Sequence, residues 1–169
     1  MDIEPDTTVL DIGCGYGILL DELKTLNCNL VGWDISEIAV SYIRYKGHTG
    51  RCLDFVKYNP AENEKYDYVI TSEFLEHVED AESTLSKMDE LAEKAIIISV
   101  PNNCLPYKDC KEHLQCFNRA RVKSLADSFN FKKCYIEEYT EEFVRSGSDR
   151  TKSFVIRRPS LLIICEKQA

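Results

Sequence analysis

Short apolar, β-branched runs alternate with amphipathic stretches along most of the chain, the pattern of a sheet covered by helices on both faces. The runs predict strands at Thr8–Ile12, Asn29–Trp33, Arg51–Leu53, Tyr68–Thr71, Ala95–Val100, Lys133–Glu137 and Leu161–Cys165. The amphipathic stretches predict helices over Gly17–Leu26, Ser36–Tyr45, Ala81–Ala92 and Arg119–Phe129. Ser36 and Asn118 are placed to cap two of them through their side-chain oxygens. Helix signals stop after Phe131, and only two strands and a polar connection, Thr140–Ser153, follow. The expectation is an α/β fold, a doubly wound seven-stranded sheet that closes with a hairpin and an antiparallel last strand.

At 169 residues the chain has room for one ordinary domain. Its longest apolar runs, Ala95–Ile98 and Leu161–Cys165, are far short of the roughly 20 residues of a membrane span. Met1–Pro5 has neither the basic nor the apolar part of a secretion signal, so a cytoplasmic protein is expected. In that setting the eight cysteines read as free thiols rather than as a disulfide framework. A metal knuckle at Cys110, His113 and Cys116 is the rival reading, because residues three apart can converge on zinc. A net charge of −8 disfavours a general polyanion binder, yet the charge is uneven. Residues 1–106 carry 8 basic and 20 acidic side chains and residues 107–169 carry 13 and 9, which leaves a basic C-terminal face open.

Val9-Leu10-Asp11-Ile12-Gly13-Cys14-Gly15-Tyr16-Gly17 is a buried-strand pattern running into glycines that open a helix. Glycine permits positive φ and close backbone approach, so a ligand can lie against this turn. Asp34 ends the next strand about 20 residues on, where a carboxylate can accept from both hydroxyls of a ribose. A phosphate-binding dinucleotide site competes with this reading, and for Asp11, Asp34 and Asp54 a cap or turn role competes as well.

These residues resemble the class I S-adenosylmethionine-dependent methyltransferases. Val9 to Gly17 resembles the first motif of that family, Asp34 its ribose-binding acid, and Leu53-Asp54-Phe55 the segment beside the adenine. Tyr66–Ile70 followed by Glu73-Phe74-Leu75-Glu76-His77-Val78 resembles its fourth strand and the loop beyond. The resemblance implies a Rossmann-like fold and S-adenosylmethionine as cofactor, with Asp11, Gly13, Gly15, Gly17, Asp34, Asp54, Phe55, Ser72 and Glu73 as its contacts. The glycines take the Gly-x-Gly-x-Gly form of these enzymes and lack the third glycine position of a dinucleotide site.

Glu73, Glu76 and His77 stand at i, i+3 and i+4 just past the fourth strand, on one face if the segment is helical. Either Glu76 and His77 cap the next helix and pair with neighbours, or they form a divalent-metal site with Glu73 and with His113, which follows the fifth strand. Two carboxylates with two imidazoles suit Mn²⁺, Fe²⁺, Co²⁺ or Zn²⁺ better than Mg²⁺, which remains allowed. The Glu-x-x-Glu-His spacing resembles the O-methyltransferases of ubiquinone synthesis and, with His113, the small-RNA 2′-O-methyltransferases. Leu114-Gln115-Cys116-Phe117 departs from the RNA enzymes, and the overall acidity disfavours RNA. The resemblance therefore implies O-methylation of a small hydroxylated acceptor, anionic if Arg119, Arg121, Arg145, Arg150, Arg157 and Arg158 face it. RNA 2′-O-methylation and a non-catalytic cofactor-binding subunit are the alternatives. Without a metal, His77 or His113 is the candidate catalytic base. Related enzymes carry an N-terminal helical lid, and the early first strand predicts a single domain, 1–169, without one. Residues 101–117 and 140–158, or a second subunit in a homo-oligomer or partner complex, would then cover the site.

Overall fold

The computed structural model describes residues 3–103, 111–146 and 153–168. Its first strand, β1 (Thr8–Ile12), lies at the centre of the sheet, with Val9, Leu10 and Ile12 fully buried. β1 pairs in parallel with β2 (Asn29–Asp34) on one side and β4 (Tyr66–Ser72) on the other. β3 (Thr49–Cys52) lies outside β2, and β5 (Ala92–Pro101) lies beside β4. The hairpin of β6 (Lys133–Ser146) and β7 (Ser153–Glu166) completes the order β3-β2-β1-β4-β5-β7-β6. β7 runs antiparallel to both of its neighbours, so the expected doubly wound sheet with an antiparallel last strand is observed.

Helices α1 (Ile18–Leu23), α2 (Glu37–Tyr45), α3 (Ala81–Leu91) and α4 (Arg119–Asp127) cover the two faces. Ser36 and Asn118 cap α2 and α4 as expected, each accepting the N–H of the third residue on, from Ala39 and Arg121. α1 ends earlier than its amphipathic pattern suggested and tightens into a 3-10 turn at Lys24–Leu26, where Asn27 takes a left-handed conformation. The larger core sets Leu10, Ile12, Val69, Ile96 and Ile98 against Leu85, Met88 and Leu91 of α3 and Val122 of α4. On the opposite face Val9, Tyr68, Ile70 and Ala95 meet Leu19 and Leu23.

The polar connection expected over Thr140–Ser153 is mostly strand instead. β5 pairs with β7 only as far as Pro101 opposite Ser160, whereas β6 and β7 continue their own pairing to Ser146 opposite Ser153. The hairpin therefore leaves the sheet as a two-stranded ribbon. The sequence there, Glu141-Glu142-Phe143-Val144-Arg145, lacks the alternation that reveals a half-buried strand, and the register sets Glu141 opposite Arg158 and Glu142 opposite Arg157.

β2 passes beneath α1 and α2 at Gly32. A methyl group on Gly32 would meet Cys14 Sγ and Leu20 Cδ1, each at 2.8 Å. Gly32→Ala is expected to destabilise the fold by about 1–3 kcal/mol through overpacking, read as a lower midpoint of urea unfolding. An unchanged midpoint would show that the two helices can move aside.

Candidate functional site

The site begins where β1 turns at the C-terminal edge of the sheet. Gly13, Gly15 and Gly17 all have positive φ, 74°, 50° and 74°. The first and last are sterically closed: a Cβ on Gly13 would come within 2.8 Å of Phe74, and one on Gly17 within 2.7 Å of Ile43. A Cβ on Gly15 would meet nothing within 4 Å, so the middle of the turn faces open space. The Gly13 and Cys14 N–H groups donate to the Trp33 carbonyl at 2.8 and 3.1 Å, which ties the turn to β2. Asp34 completes the tie, one carboxylate oxygen accepting from Gly15 N–H and the other from Ser36 N–H, both at 2.8 Å. From behind, the Lys46 ammonium donates to the Tyr16 carbonyl at 2.8 Å and pairs with Asp21.

Two adjoining grooves open from this turn. The first, about 700 Å³, runs from Gly13 and Asp34 past Ile35, Leu53, Asp54 and Phe55 to Phe74 and His77. The second, about 570 Å³, holds Asp11, Gly15, Ser72, Glu73, Glu76, His77 and His113. Gly13, Glu73, His77 and Glu112 border both. Asp54 serves a turn as well as a wall: backbone N–H groups of Val56 and Lys57 and the Lys57 ammonium, 2.8 Å away, hold its pKa below the usual carboxylate range, the Lys57 bond foremost. Phe55 is largely core, packed on Trp33 and Phe74, with an edge on the first groove.

At the far end a buried carboxylate meets two imidazoles. Glu76 is 1% exposed, and its Oε1 lies 3.9 Å from His77 Nε2 and 4.0 Å from His113 Nε2. The two rings stand edge to face with centroids 4.9 Å apart. One ligand atom from each of Glu76, His77 and His113 falls within 4.8 Å of the others. The loop carrying His113 is docked on the loop carrying Glu76: Leu114 and Gln115 N–H donate to the Glu76 carbonyl, and the Gln115 amide donates to the Val78 carbonyl. His77 Nδ1 lies 3.0 Å from the Glu112 carbonyl. A carbonyl can only accept, so Nδ1 carries a proton, and in the neutral ring Nε2 is left with its lone pair on the Glu76 side, the tautomer a metal-binding histidine uses.

The reading of Glu76 and His77 as caps of the next helix does not hold, since Asp80 caps α3 by accepting Ser83 N–H at 2.9 Å. Glu73 stands outside the three-residue cluster and receives the Ser99 hydroxyl instead. Cys110, one corner of the rival knuckle, lies outside the described residues, as do the side chains of Arg145, Arg150, Arg157 and Arg158. Arg119 lines neither groove, and Arg121 is spent on the Cys116 carbonyl and the Phe117 ring. Sequence reasoning placed Leu53 beside the adenine but did not single out Ile35 and Phe74 as groove walls, nor Glu112, whose backbone carbonyl holds His77. Ile35 had a signal: an apolar residue directly after the acid of β2, left 69% exposed.

A family profile described as a methyltransferase domain matches residues 2–136. The ubiquinone biosynthesis O-methyltransferase of Hahella chejuensis is 34% identical over 94 residues, 52% of this chain and 40% of that relative. The matched stretch thus spans well under half of the relative's length. Among solved structures, a SAM-dependent methyltransferase from Archaeoglobus fulgidus superposes with a TM-score of 0.74 at 21% identity, covering 96% of this chain and 86% of that one. Magnesium protoporphyrin IX methyltransferase from Synechocystis PCC 6803, solved with SAM bound, superposes with a TM-score of 0.67 at 22% identity, covering 97% and 71%.

Asp11, at the floor of the second groove, has its pKa pushed up to about 7, first by burial and then by the charge of Asp34. The unfolded chain releases this proton near 3.8, the folded chain near 7. Between those values the folded state holds the extra proton, so stability falls as pH rises, by about 1.4 kcal/mol per pH unit at the steepest. Asp11→Asn is expected to flatten that slope in urea unfolding followed from about pH 4 to pH 8. Equal slopes for the two proteins would show that Asp11 does not carry it.

Proposed function

The chain belongs to the methyltransferase-domain family, and from that premise we propose that it transfers a methyl group from S-adenosylmethionine to a hydroxyl of a small acceptor. The observation that carries this reading is the glycine turn locked by Asp34, opening onto grooves that end at Glu76, His77 and His113. The Asp34 carboxylate is held by one backbone N–H on each oxygen, and each oxygen keeps a further lone-pair site for a ribose hydroxyl. Ile35, Leu53 and Phe55 offer an apolar wall for the adenine, with Asp54 at its rim. Gly13, Gly15 and Ser72 border the space for the methionyl end, and a cationic group there would draw the buried Asp11 carboxyl toward its ionised form.

Glu76, His77 and His113 fit a divalent cation in donor chemistry and in grouping, and we assign them as its ligands. When bound, such an ion would lower the pKa of an acceptor hydroxyl and orient it. Glu112 fixes the His77 tautomer for that role, and the docking of Leu114 and Gln115 on Glu76 sets His113 beside it. In a metal-free enzyme the same imidazoles are the bases in reach of the acceptor. RNA as acceptor shares these three residues, but among the described residues Lys57 is the only Lys or Arg lining either groove, and it is paired with Asp54. A phosphate track needs several unpaired cations. We further assign residues 1–169 to one domain, cytoplasmic in location, with the cover supplied by residues 101–117 and 140–158 or by a second subunit. Among the described residues no helix is long and apolar enough to cross a membrane.

Calorimetry is expected to show S-adenosylmethionine and S-adenosylhomocysteine binding, with Asp34→Ala weakening both by about 1–3 kcal/mol through loss of charge-assisted hydrogen bonds. No heat with either ligand would sink the proposal. With tritiated donor and a panel of phenols, catechols and short RNA, label is expected in a small hydroxylated compound. EDTA should abolish that transfer and leave cofactor binding intact, with Mn²⁺ restoring the rate. A rate indifferent to EDTA would remove the metal and leave His77 or His113 as base, and binding without any transfer would favour a non-catalytic subunit.

A further inference from the structure

Asp34 reaches the glycine turn at Gly15, and the following peptide, Tyr16–Gly17, is held from the other side by Lys46. The Lys46 ammonium donates to the Tyr16 carbonyl at 2.8 Å, more weakly to the Gly17 carbonyl at 3.5 Å, and to Asp21 Oδ2. Its three protons are thus directed at the end of the turn and at the helix that follows it. Asp21 meets His48 Nε2 at 2.7 Å through its other oxygen, and since an ionised carboxylate only accepts, Nε2 carries the proton. The His48 side chain is 2% exposed. Lys46 first and His48 second hold the Asp21 pKa down to about 2, so the acid between them stays ionised. The end of α2 brings the two donors together. Gly47, with a φ of 89°, reverses the chain; its N–H goes to the Arg44 carbonyl and that of His48 to the Ile43 carbonyl, the pattern of a Schellman closure. Lys46 and His48, one on each side of Gly47, thereby meet at one carboxylate of α1.

This clamp acts where the backbone has most freedom. Glycine admits either sign of φ, and Tyr16 stands between two glycines. The Tyr16–Gly17 peptide therefore has a flipped alternative, which would turn its carbonyl away from Lys46 and break the bond from Gly17 N–H to the Cys14 carbonyl. Lys46 lines neither groove, whereas Tyr16 lines the second together with Gly13 and Gly15. We propose that Lys46, braced by Asp21 and His48, is a positioning residue that locks the Tyr16–Gly17 peptide in the orientation against which the methionyl end of S-adenosylmethionine binds. The peptide is then ordered in the free protein, and the ligand loses little in ordering it. The inference rests on the proposed placement of the cofactor. It assigns to three side chains behind the turn the preference for a ligand with the amino-acid end over a bare nucleoside.

The test is calorimetric and needs no turnover. Two ligands are compared: S-adenosylhomocysteine, and 5′-methylthioadenosine, the same nucleoside thioether without the amino acid. Lys46→Met should weaken S-adenosylhomocysteine about five- to tenfold, the scale of one lost hydrogen bond. Asp21→Asn should weaken it in the same direction, and the double variant should bind no more weakly than Lys46→Met alone, because Asp21 acts through Lys46. 5′-Methylthioadenosine, which reaches Asp34 and the adenine wall but not the methionyl space, should bind all four proteins equally. Should Lys46→Met fail to fold, Asp21→Asn carries the same comparison of ligands. Equal S-adenosylhomocysteine binding by wild type and the single variants overturns the inference, as does failure of wild type to bind 5′-methylthioadenosine. Parallel losses for the two ligands also overturn it, by showing a merely structural role, and additive losses in the double variant overturn the bracing by Asp21. If wild type fails to bind S-adenosylhomocysteine at the outset, the proposed function itself falls and takes this inference with it.

Discussion

The Asp34 carboxylate joins two loops that would otherwise move independently: the glycine turn after β1, through Gly15 N–H, and the N-terminus of α2, through Ser36 N–H. Hydrogen bonds to an ionised acceptor are about twice as strong as neutral ones, and here both have the length of good ones. With the Trp33 carbonyl taking Gly13 and Cys14, the last two residues of β2 fix the whole path of the turn. Every later feature of the edge depends on that path, because Gly13 packs on Phe74 and Phe74 precedes the turn that bears Glu76 and His77. A ligand that binds Asp34 therefore finds its partner already oriented and loses little in ordering it.

Part of the chain's left-handed backbone lies on the same edge, with Asp6 and Asn27 adopting it elsewhere. The positive-φ glycines of the turn and Glu73 lie at the C-terminal ends of β1 and β4, while the strand interiors beneath are regular and closely packed. A buried carboxyl at Asp11 adds an electrostatic cost in the free protein, since burial and the neighbouring charge of Asp34 both oppose its ionisation. Backbone strain and an uncompensated buried acid persist only where the rest of the fold over-determines them, which is the usual condition of a ligand site.

How far the sequence could be read follows from what each residue interacts with. The central strands were legible because β1, β4 and β5 are buried on both faces and read as apolar runs, and the caps of α2 and α4 because their contacts are local. Asp34 and the glycines were legible because one strand and one turn set their spacing. The ribbon of β6 and β7 was not, since its sequence, Glu141-Glu142-Phe143-Val144, does not alternate apolar with polar positions. Nor was the separation of Glu73 from Glu76 and His77: helical spacing put all three on one face, but the left-handed Glu73 precedes only a short 3-10 turn and directs its carboxylate to Ser99. Ser99 and Tyr139 meet across a strand from 40 residues apart, and Glu112 acts through its backbone, so no local pattern reports either.

The charge of the second groove bears on how the proposed reaction would proceed to completion. Asp11, Glu73, Glu76 and Glu112 line it, and among the described residues no Lys or Arg does. A donor with a sulfonium and an ammonium is drawn to such a surface, and the attraction is greatest where water is excluded and the effective dielectric is low. Methyl transfer turns the sulfonium into a neutral thioether, so the same carboxylates hold the product less strongly than the donor. In the proposed reaction the acidity that disfavours a polyanionic acceptor would thus also favour release of the spent cofactor, so one electrostatic feature, laid down by residues from β1, β4 and the loop at 112, would serve both selection and turnover.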